Sequence, residues 1–555
     1  MDSQTTMQPE IEYETYQIGI AYIVKDILNR LGIVETIDSF MEYQPEIGAS
    51  YGTLSQAVII NRLSFDPQPL YLLPEWAKQH GIDQLLGIDA SWLDDDRLGA
   101  MMESLAKHAA QIWLKIIVRA VSQFSVILEW LHADTTSVYF EGAYEDEQGQ
   151  PIEEEYAPKL LQGYNKDGKP KNVQFVLSLI ASKHIPLWYK LWDGNQSDDG
   201  VYLVDLLGLR KSGLDLSNTV LIFDRKGCNH ATMLAMCKTK QSFLGAHPWT
   251  DTAKAKWEQT WQEIQSGKRS WIEVDYAARN DQRKPLESRP RYRVCEIEHD
   301  VTDEATGKTY PLRWIFSWNS SKAELDARQR LKQLEAGEQA LQKVARLLGK
   351  YSYTSRAFIL DQLGKLLKKA HANSYYEYNL VGTDEKQDWQ LTWNCNLEAV
   401  AQSGRFDGLV LLCTNVSVER LSAGEVMKKY KEQVSVEQTF DFIKSPVQIR
   451  PLWLHSPQRL AGLTFLIMLA VLIATLVEYY VRQDIAKNKK IIKGLMPKGH
   501  DNPYPTAEKL FKAFQDYSIV VARYPDGHLK VHYPKPRPVQ RQILDILATL
   551  PPNPI

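Results

Sequence analysis

Three acidic residues, far apart along the chain, could together hold divalent cations: Asp134, Asp224 and Glu437. Asp134 follows the apolar stretch LEWLHA, and Asp224 ends the strand-like run TVLIF. A carboxylate at the end of a buried strand is, taken singly, an ordinary turn former. Glu437 stands in a helical pattern, SAGEVMKKYKEQVSVEQTFDFIK, which opens with the Ser422-x-x-Glu425 spacing of a capping box. At about 100° of rotation per residue, Tyr430, Gln433, Glu437 and Lys444 fall on one face, close to the stripe of Met427 and Val434. An acid and a lysine on a core-facing stripe need partners, whether an internal ion pair, a partly solvated face or a ligand. Carboxylate oxygens are preferred ligands of Mg2+. Two such ions roughly 3.5–4 Å apart can activate a water or a 3′-hydroxyl and stabilise the leaving oxygen of an in-line phosphoryl displacement. Three acids on three separate core elements favour that chemistry over a set of unrelated turns.

The elements that must carry these residues can be read from the pattern. Residues 119–235 give strand-like runs around Asp134, at NVQFVLSLIAS and at IPLWYKLWDGN. A helical stretch, DDGVYLVDLLGLRKSG, capped by Asp198 or Asp199, and the short strand TVLIF follow. Strand, strand, strand, helix, strand is the order of a ribonuclease-H-like core. Residues 1–118 read as a helical N-terminal domain, in which Asp94-Asp95-Asp96 sits where a helix would begin and reads as its cap. Residues 236–405 interrupt the core with strand-like, tryptophan-rich pieces and one charged helix, a β-rich insertion. The core resumes over 406–480, and 481–555 reads as a basic, proline-ended loose tail. The expected class is therefore α/β: a mixed ribonuclease-H-like sheet with flanking helices, interrupted by the insertion and preceded by a helical domain.

Composition sets limits without naming a chemistry. A length of 555 residues favours several domains, and 44% hydrophobic content allows a sizeable core. A formal net charge of −3 means that any nucleic-acid surface must be a local patch, such as the basic run over 487–498. Five cysteines without a CxxC pair argue against a disulfide framework or a structural zinc site and suit the cytoplasm. The stretch 461–477 borders on membrane-span length, yet it stands alone and has charged flanks, so it reads as a buried core helix and no membrane is expected.

With these residues assembled, the sequence resembles the DDE transposases of bacterial insertion sequences, in the group whose third-acid helix reads Tyr-x2-Arg-x3-Glu-x6-Lys. Tyr430, Gln433, Glu437 and Lys444 occupy those four spacings. ADTTSV around the first acid, GYNKDGKP, DGNQSD, FDRKG around the second acid and the leader GIDASWLDDDRLGAMMESL look like the same group. The departure is Gln433 in place of the usual arginine. A glutamine keeps hydrogen-bond donors but loses the planar cation that grips phosphate.

The resemblance implies that Asp134, Asp224 and Glu437 share two Mg2+ ions, with Mn2+ able to substitute. It implies that Tyr430 and Lys444, with Gln433 between them, contact the DNA backbone; a lysine that caps the helix end is the plain alternative. Arg225 and Lys226, just after the second acid, could neutralise phosphate in the same cleft or be solvated loop charges. Members of the group carry an inserted domain whose aromatic residues receive a base flipped out during hairpin formation; Trp314 and Trp318, on one strand face, are the candidates, although strand tryptophans are more often core. The implied partners are element terminal inverted repeats and target DNA, bound by a homodimer in the synaptic complex, in the nucleoid. Cut-and-paste transposition by way of a hairpin is the implied reaction. A ribonuclease-H-like nuclease and an inactive DNA-binding derivative are the alternatives.

Overall fold

The computed structural model describes residues 11–42, 48–140, 142, 144–165, 168–169, 171–197, 200–278, 281–282, 284–432, 439–440, 456–496 and 502–548. The chain forms two compact units. One comprises residues 1–227, 238–242 and 433–555; the other comprises residues 228–237 and 243–432.

The first unit holds the acid-bearing strands. β2 (Trp130–Phe140), β3 (Val173–Ser182), β4 (Ile185–Trp192) and β5 (Val220–Phe223) lie side by side in the order β4-β3-β2-β5; β1 is described below. β2 and β4 both run antiparallel to β3, whereas β2 and β5 are parallel. This is the mixed, ribonuclease-H-like arrangement expected from the sequence. The β3–β4 hairpin turns at Lys183 and His184, both with positive φ. The helix Val201–Arg210 packs on β3 and β4. Its cap is Gly200 at φ 78, with no side-chain hydrogen bond. The expected aspartate caps, Asp198 and Asp199, lie outside the described residues.

Helices pack with this sheet inside the same unit. The helix Asp95–Phe124 begins as expected: the Asp94 carboxylate accepts hydrogen bonds from the Asp96 and Arg97 amides. Its Trp113 indole donates to the Leu187 carbonyl on β4 and meets the Tyr189 ring edge-on at 4.9 Å. The apolar stretch 461–477 lies within the helix Pro457–Asn488 and is buried along its whole length. Among the described residues this is the one helix long and apolar enough to cross a membrane. Here it packs against the helices Asp95–Phe124 and Tyr51–Leu63 and against β4. A helix apolar on every side finds protein on every side, as anticipated.

The second unit has its own strands, β6 (Ser242–Ala246), β7 (Ile272–Val274), β8 (Tyr292–Thr302), β9 (Thr309–Asn319) and β12 (Leu409–Thr414), in the order β6-β12-β9-β8-β7. A separate hairpin joins β10 (Tyr376–Val381) to β11 (Gln390–Cys395). Helices contribute more of this unit than strands do; one of them, Ser320–Leu347, runs 28 residues. The description "β-rich" therefore fits its sheet rather than the whole insertion.

The expected loose tail is corrected. β13 (Ile519–Arg523) pairs with β14 (Leu529–His532) and, on its other edge, with β1 (Glu12–Tyr16), in the register Glu12↔Arg523 to Tyr16↔Ile519. The helix Pro538–Leu547 buries Ile543, Leu544 and Leu547. Basic and proline residues around these short elements mask an apolar IVVAR strand and an amphipathic helix.

Candidate functional site

The parallel pairing of β2 with β5 brings the first two acids together. Its register runs from Trp130↔Val220 to Ala133↔Phe223, so the next position sets Asp134 beside Asp224. Neighbouring strands lie about 4.8 Å apart, and residues in register on parallel strands present their side chains on the same face. Both aspartates are half-buried. The pair stands where β5 ends and β2 continues, paired from there with β3 as far as Phe140. An Asp134 carboxylate oxygen accepts from the Thr135 amide at 2.7 Å.

Asp224 has an ordered and asymmetric environment. Its Oδ1 accepts from the Tyr202 hydroxyl at 3.0 Å and from the backbone amides of Lys226 and Gly227 at 3.2 and 3.3 Å. Tyr202, on the helix Val201–Arg210, stacks nearly parallel on Phe223 with ring centroids 5.6 Å apart. A Cβ on Gly227 would come within 2.4 Å of the Tyr202 ring, so this close approach requires glycine. Arg225 and Lys226 are exposed beside the acids, and the Lys226 ammonium lies 4.8 Å over the ring of Tyr164, which is itself 78% exposed.

Two of the motif pieces are tied to each other behind this loop. Gly163 and Gly194 meet backbone to backbone: a Cβ on either would fall about 2.1 Å from a carbonyl oxygen. The buried Gln174 side chain donates to the carbonyls of Gly194 and Tyr164 and accepts from the Asn165 amide. The Asp193 carboxylate accepts from the Lys159 amide at 2.9 Å. Thus GYN (163–165) and DGN (193–195) form one scaffold at the carboxyl end of β2. Sequence reasoning overlooked Gln174 and Tyr202; the paired glycines were the available signal for the first, and nothing marked the second.

On the second unit, the helix Ala423–Lys431 starts with the expected capping box. The Ser422 amide donates to Glu425 at 2.9 Å and the Glu425 amide to the Ser422 hydroxyl at 3.4 Å. Arg313 donates from one guanidinium nitrogen to the carbonyls of Val416 and Leu421, fixing the loop that leads into this helix. Tyr430 lies near its end, half-buried. Gln433, Glu437 and Lys444 lie outside the described residues. Between Glu437 and Lys444, in the first unit, the Thr439 hydroxyl donates to the His184 carbonyl at 3.2 Å and Phe440 is buried. Among the described residues no three His, Cys, Asp or Glu side chains gather as a metal would require.

The two tryptophans differ. Trp314 on β9 is 1% exposed, with His299 stacked on it at 3.7 Å and His247 at 5.0 Å. As placed, it offers no face to a base. Trp318 is half-buried, with the Arg293 guanidinium 4.0 Å over its ring.

Comparison with known proteins adds three findings. A family described as "Transposase DDE domain" matches residues 133–473, and one described as "Domain of unknown function (DUF4277)" matches residues 13–118. No curated protein matches the chain. Among solved structures, one titled "Mos1 transposase paired-end complex with left transposon end" aligns over 37% of this chain and 60% of that one, at 13% identity and a TM-score of 0.14, a likeness too slight to carry weight.

Proposed function

The chain belongs to the DDE-domain transposases, whose domain spans more than half of it, and on that premise we propose that it cuts DNA at the ends of an insertion sequence and joins those ends to target DNA. The observation that carries the reading is the register of the parallel β2–β5 pair, which ends at Ala133↔Phe223, one residue before each of Asp134 and Asp224. Two carboxylates at strand spacing can share a hard cation, and the donor set fits one: among the described residues, no hydrogen bond reaches Oδ2 of Asp224.

In this reading Asp134, Asp224 and Glu437 hold two Mg2+ ions, for which Mn2+ can substitute. When bound, the ions supply Lewis-acid activation of the attacking oxygen and charge stabilisation at the leaving oxygen. The chain's own residues position and neutralise. Arg225 and Lys226, exposed beside the acids, meet the phosphate backbone, as do Tyr430, Gln433 and Lys444 on the third-acid segment. The helical residues before β2 and the basic run after the buried helix contact the terminal repeats, and two copies bring the two ends together. The course proposed is cut-and-paste by way of a hairpin, with Trp318 rather than the enclosed Trp314 as the aromatic able to meet a flipped base.

The test is incubation of the purified protein with DNA flanking its own gene. Mg2+-dependent nicks at discrete ends are expected. Alanine at Asp134, Asp224 or Glu437 abolishes them while DNA binding persists. Cutting at the normal rate by any one of the three variants removes that residue from the site.

A further inference from the structure

Asp224 is held by its loop and by one side chain from another element, and the two kinds of contact are not equivalent. All three donors converge on the same oxygen, Oδ1, at 3.0, 3.2 and 3.3 Å. The two backbone amides come from the turn that the aspartate itself starts, and they fix the carboxylate only relative to its own loop. The third donor, the Tyr202 hydroxyl, comes from a helix 22 residues earlier and relates the carboxylate to the sheet. The Tyr202 ring cannot drift: it is 1% exposed, stacked on Phe223 and closed over by Gly227. A neutral hydroxyl leaves the carboxylate's charge intact, whereas an arginine or lysine there would cancel the charge that attracts a cation.

We propose that Tyr202 is a positioning residue for the cation: it reserves Oδ1 of Asp224 for the protein and so presents Oδ2, charged and preoriented, toward the metal beside Asp134. This rests on the reading of Asp224 as a cation ligand. Tyr202 touches neither substrate nor metal in this assignment; it acts through Asp224. A hydrogen bond of this kind fixes a carboxylate torsion before the ion arrives, and its loss falls on ion affinity rather than on DNA affinity.

The test is Tyr202→Phe in the full chain, which keeps the ring, its stacking and the space beside Gly227. Binding of Mn2+ to the protein without DNA is followed by electron paramagnetic resonance. The Mg2+ dependence of end cleavage, DNA affinity and thermal unfolding are measured alongside it. The expected result is a roughly five- to tenfold weaker Mn2+ affinity and a matching rise in the Mg2+ needed for half-maximal cleavage, with DNA affinity and melting temperature close to the parent's. Cleavage recovers at saturating metal. Unchanged metal dependence overturns the proposal, and so does a loss of activity that tracks melting temperature and does not recover with metal. Asp224→Ala separates the two levels. If it leaves Mn2+ binding intact, the ligand reading itself has failed; if it abolishes binding while Tyr202→Phe does nothing, only the positioning role has failed.

Discussion

Half-buried acids in the two units can be held in opposite ways. In the second unit, Glu296 gives both oxygens to Arg313 at 2.7 and 2.8 Å, and Asp407 gives both to Arg330 at 2.5 Å. Each charge is cancelled by a planar guanidinium fork, and no oxygen is left for anything else. In the first unit, Asp224 engages, among the described residues, neutral donors through one oxygen and follows a strand whose partner leads into a second aspartate, Asp134. On the proposed reading, Glu296 and Asp407 serve the fold saturated and neutralised, whereas Asp224 keeps its charge and an open oxygen for a cation. Residue type alone does not separate the two; the partners do.

That contrast can be broken or sharpened. The largest effect is expected on chemistry: Asp134→Ala or Asp224→Ala should reduce end cleavage by on the order of a thousandfold or more, equivalent to about 4 kcal/mol of barrier, with little change in melting temperature. Glu296→Gln should do the reverse, lowering stability while the folded fraction cuts normally. If the two profiles coincide, the distinction between the acids is wrong. Next comes Arg313→Ala. It strands a partly buried carboxylate and two carbonyls, and should cost about 3–5 kcal/mol by chemical denaturation.

A third effect separates the acids of the first unit from one another. Asp205 is fully buried, and among the described residues one of its oxygens has a donor, the Trp188 indole at 3.2 Å, while the other has none. Burial pushes its carboxyl up to about 6, against smaller opposing contributions from Ser178, Trp188 and Lys190. Between about pH 4 and 6 the folded chain therefore holds a proton that the unfolded chain has released. This contribution to stability is fully present below pH 4, falls as pH rises and is gone above 6. Asp205→Asn should flatten that limb and raise stability at pH 8 by about 2–3 kcal/mol, read as melting temperature against pH. The smallest effect is expected from Gln433→Arg, which should maintain cleavage or raise it a few-fold by restoring a phosphate-gripping cation. A collapse of activity would show that the local geometry differs from the family's.

Much of the first unit's sheet could be read from residues because each strand is an apolar run closed by a polar stop, and because alternation and turn chemistry act locally. Asp134 and Asp224 stood out as carboxylates at the ends of such runs. Their adjacency could not be read: it depends on β5 joining β2 in parallel at one register, a long-range choice that a window of sequence does not record. Tyr202 escaped for a related reason. It looks like one more apolar residue of VYLVDLL, and its hydroxyl acquires a task only when the helix docks. The C-terminal residues were misjudged because lysines and prolines stand out in the composition there, while five residues, IVVAR, suffice to pair with β1 once the two are brought together. Trp314 was chosen for its ring, and packing then enclosed that ring.

The pairing of Glu12 with Arg523 has a consequence in time. A ribosome adding roughly 5–20 residues per second needs on the order of half a minute to two minutes to deliver the second of those residues after the first. Throughout that interval β1 has no strand to pair with, while the strands that bear both aspartates have long since emerged. A nascent chain can thus hold Asp134 and Asp224 on their strands well before β1 and β13 are able to pair.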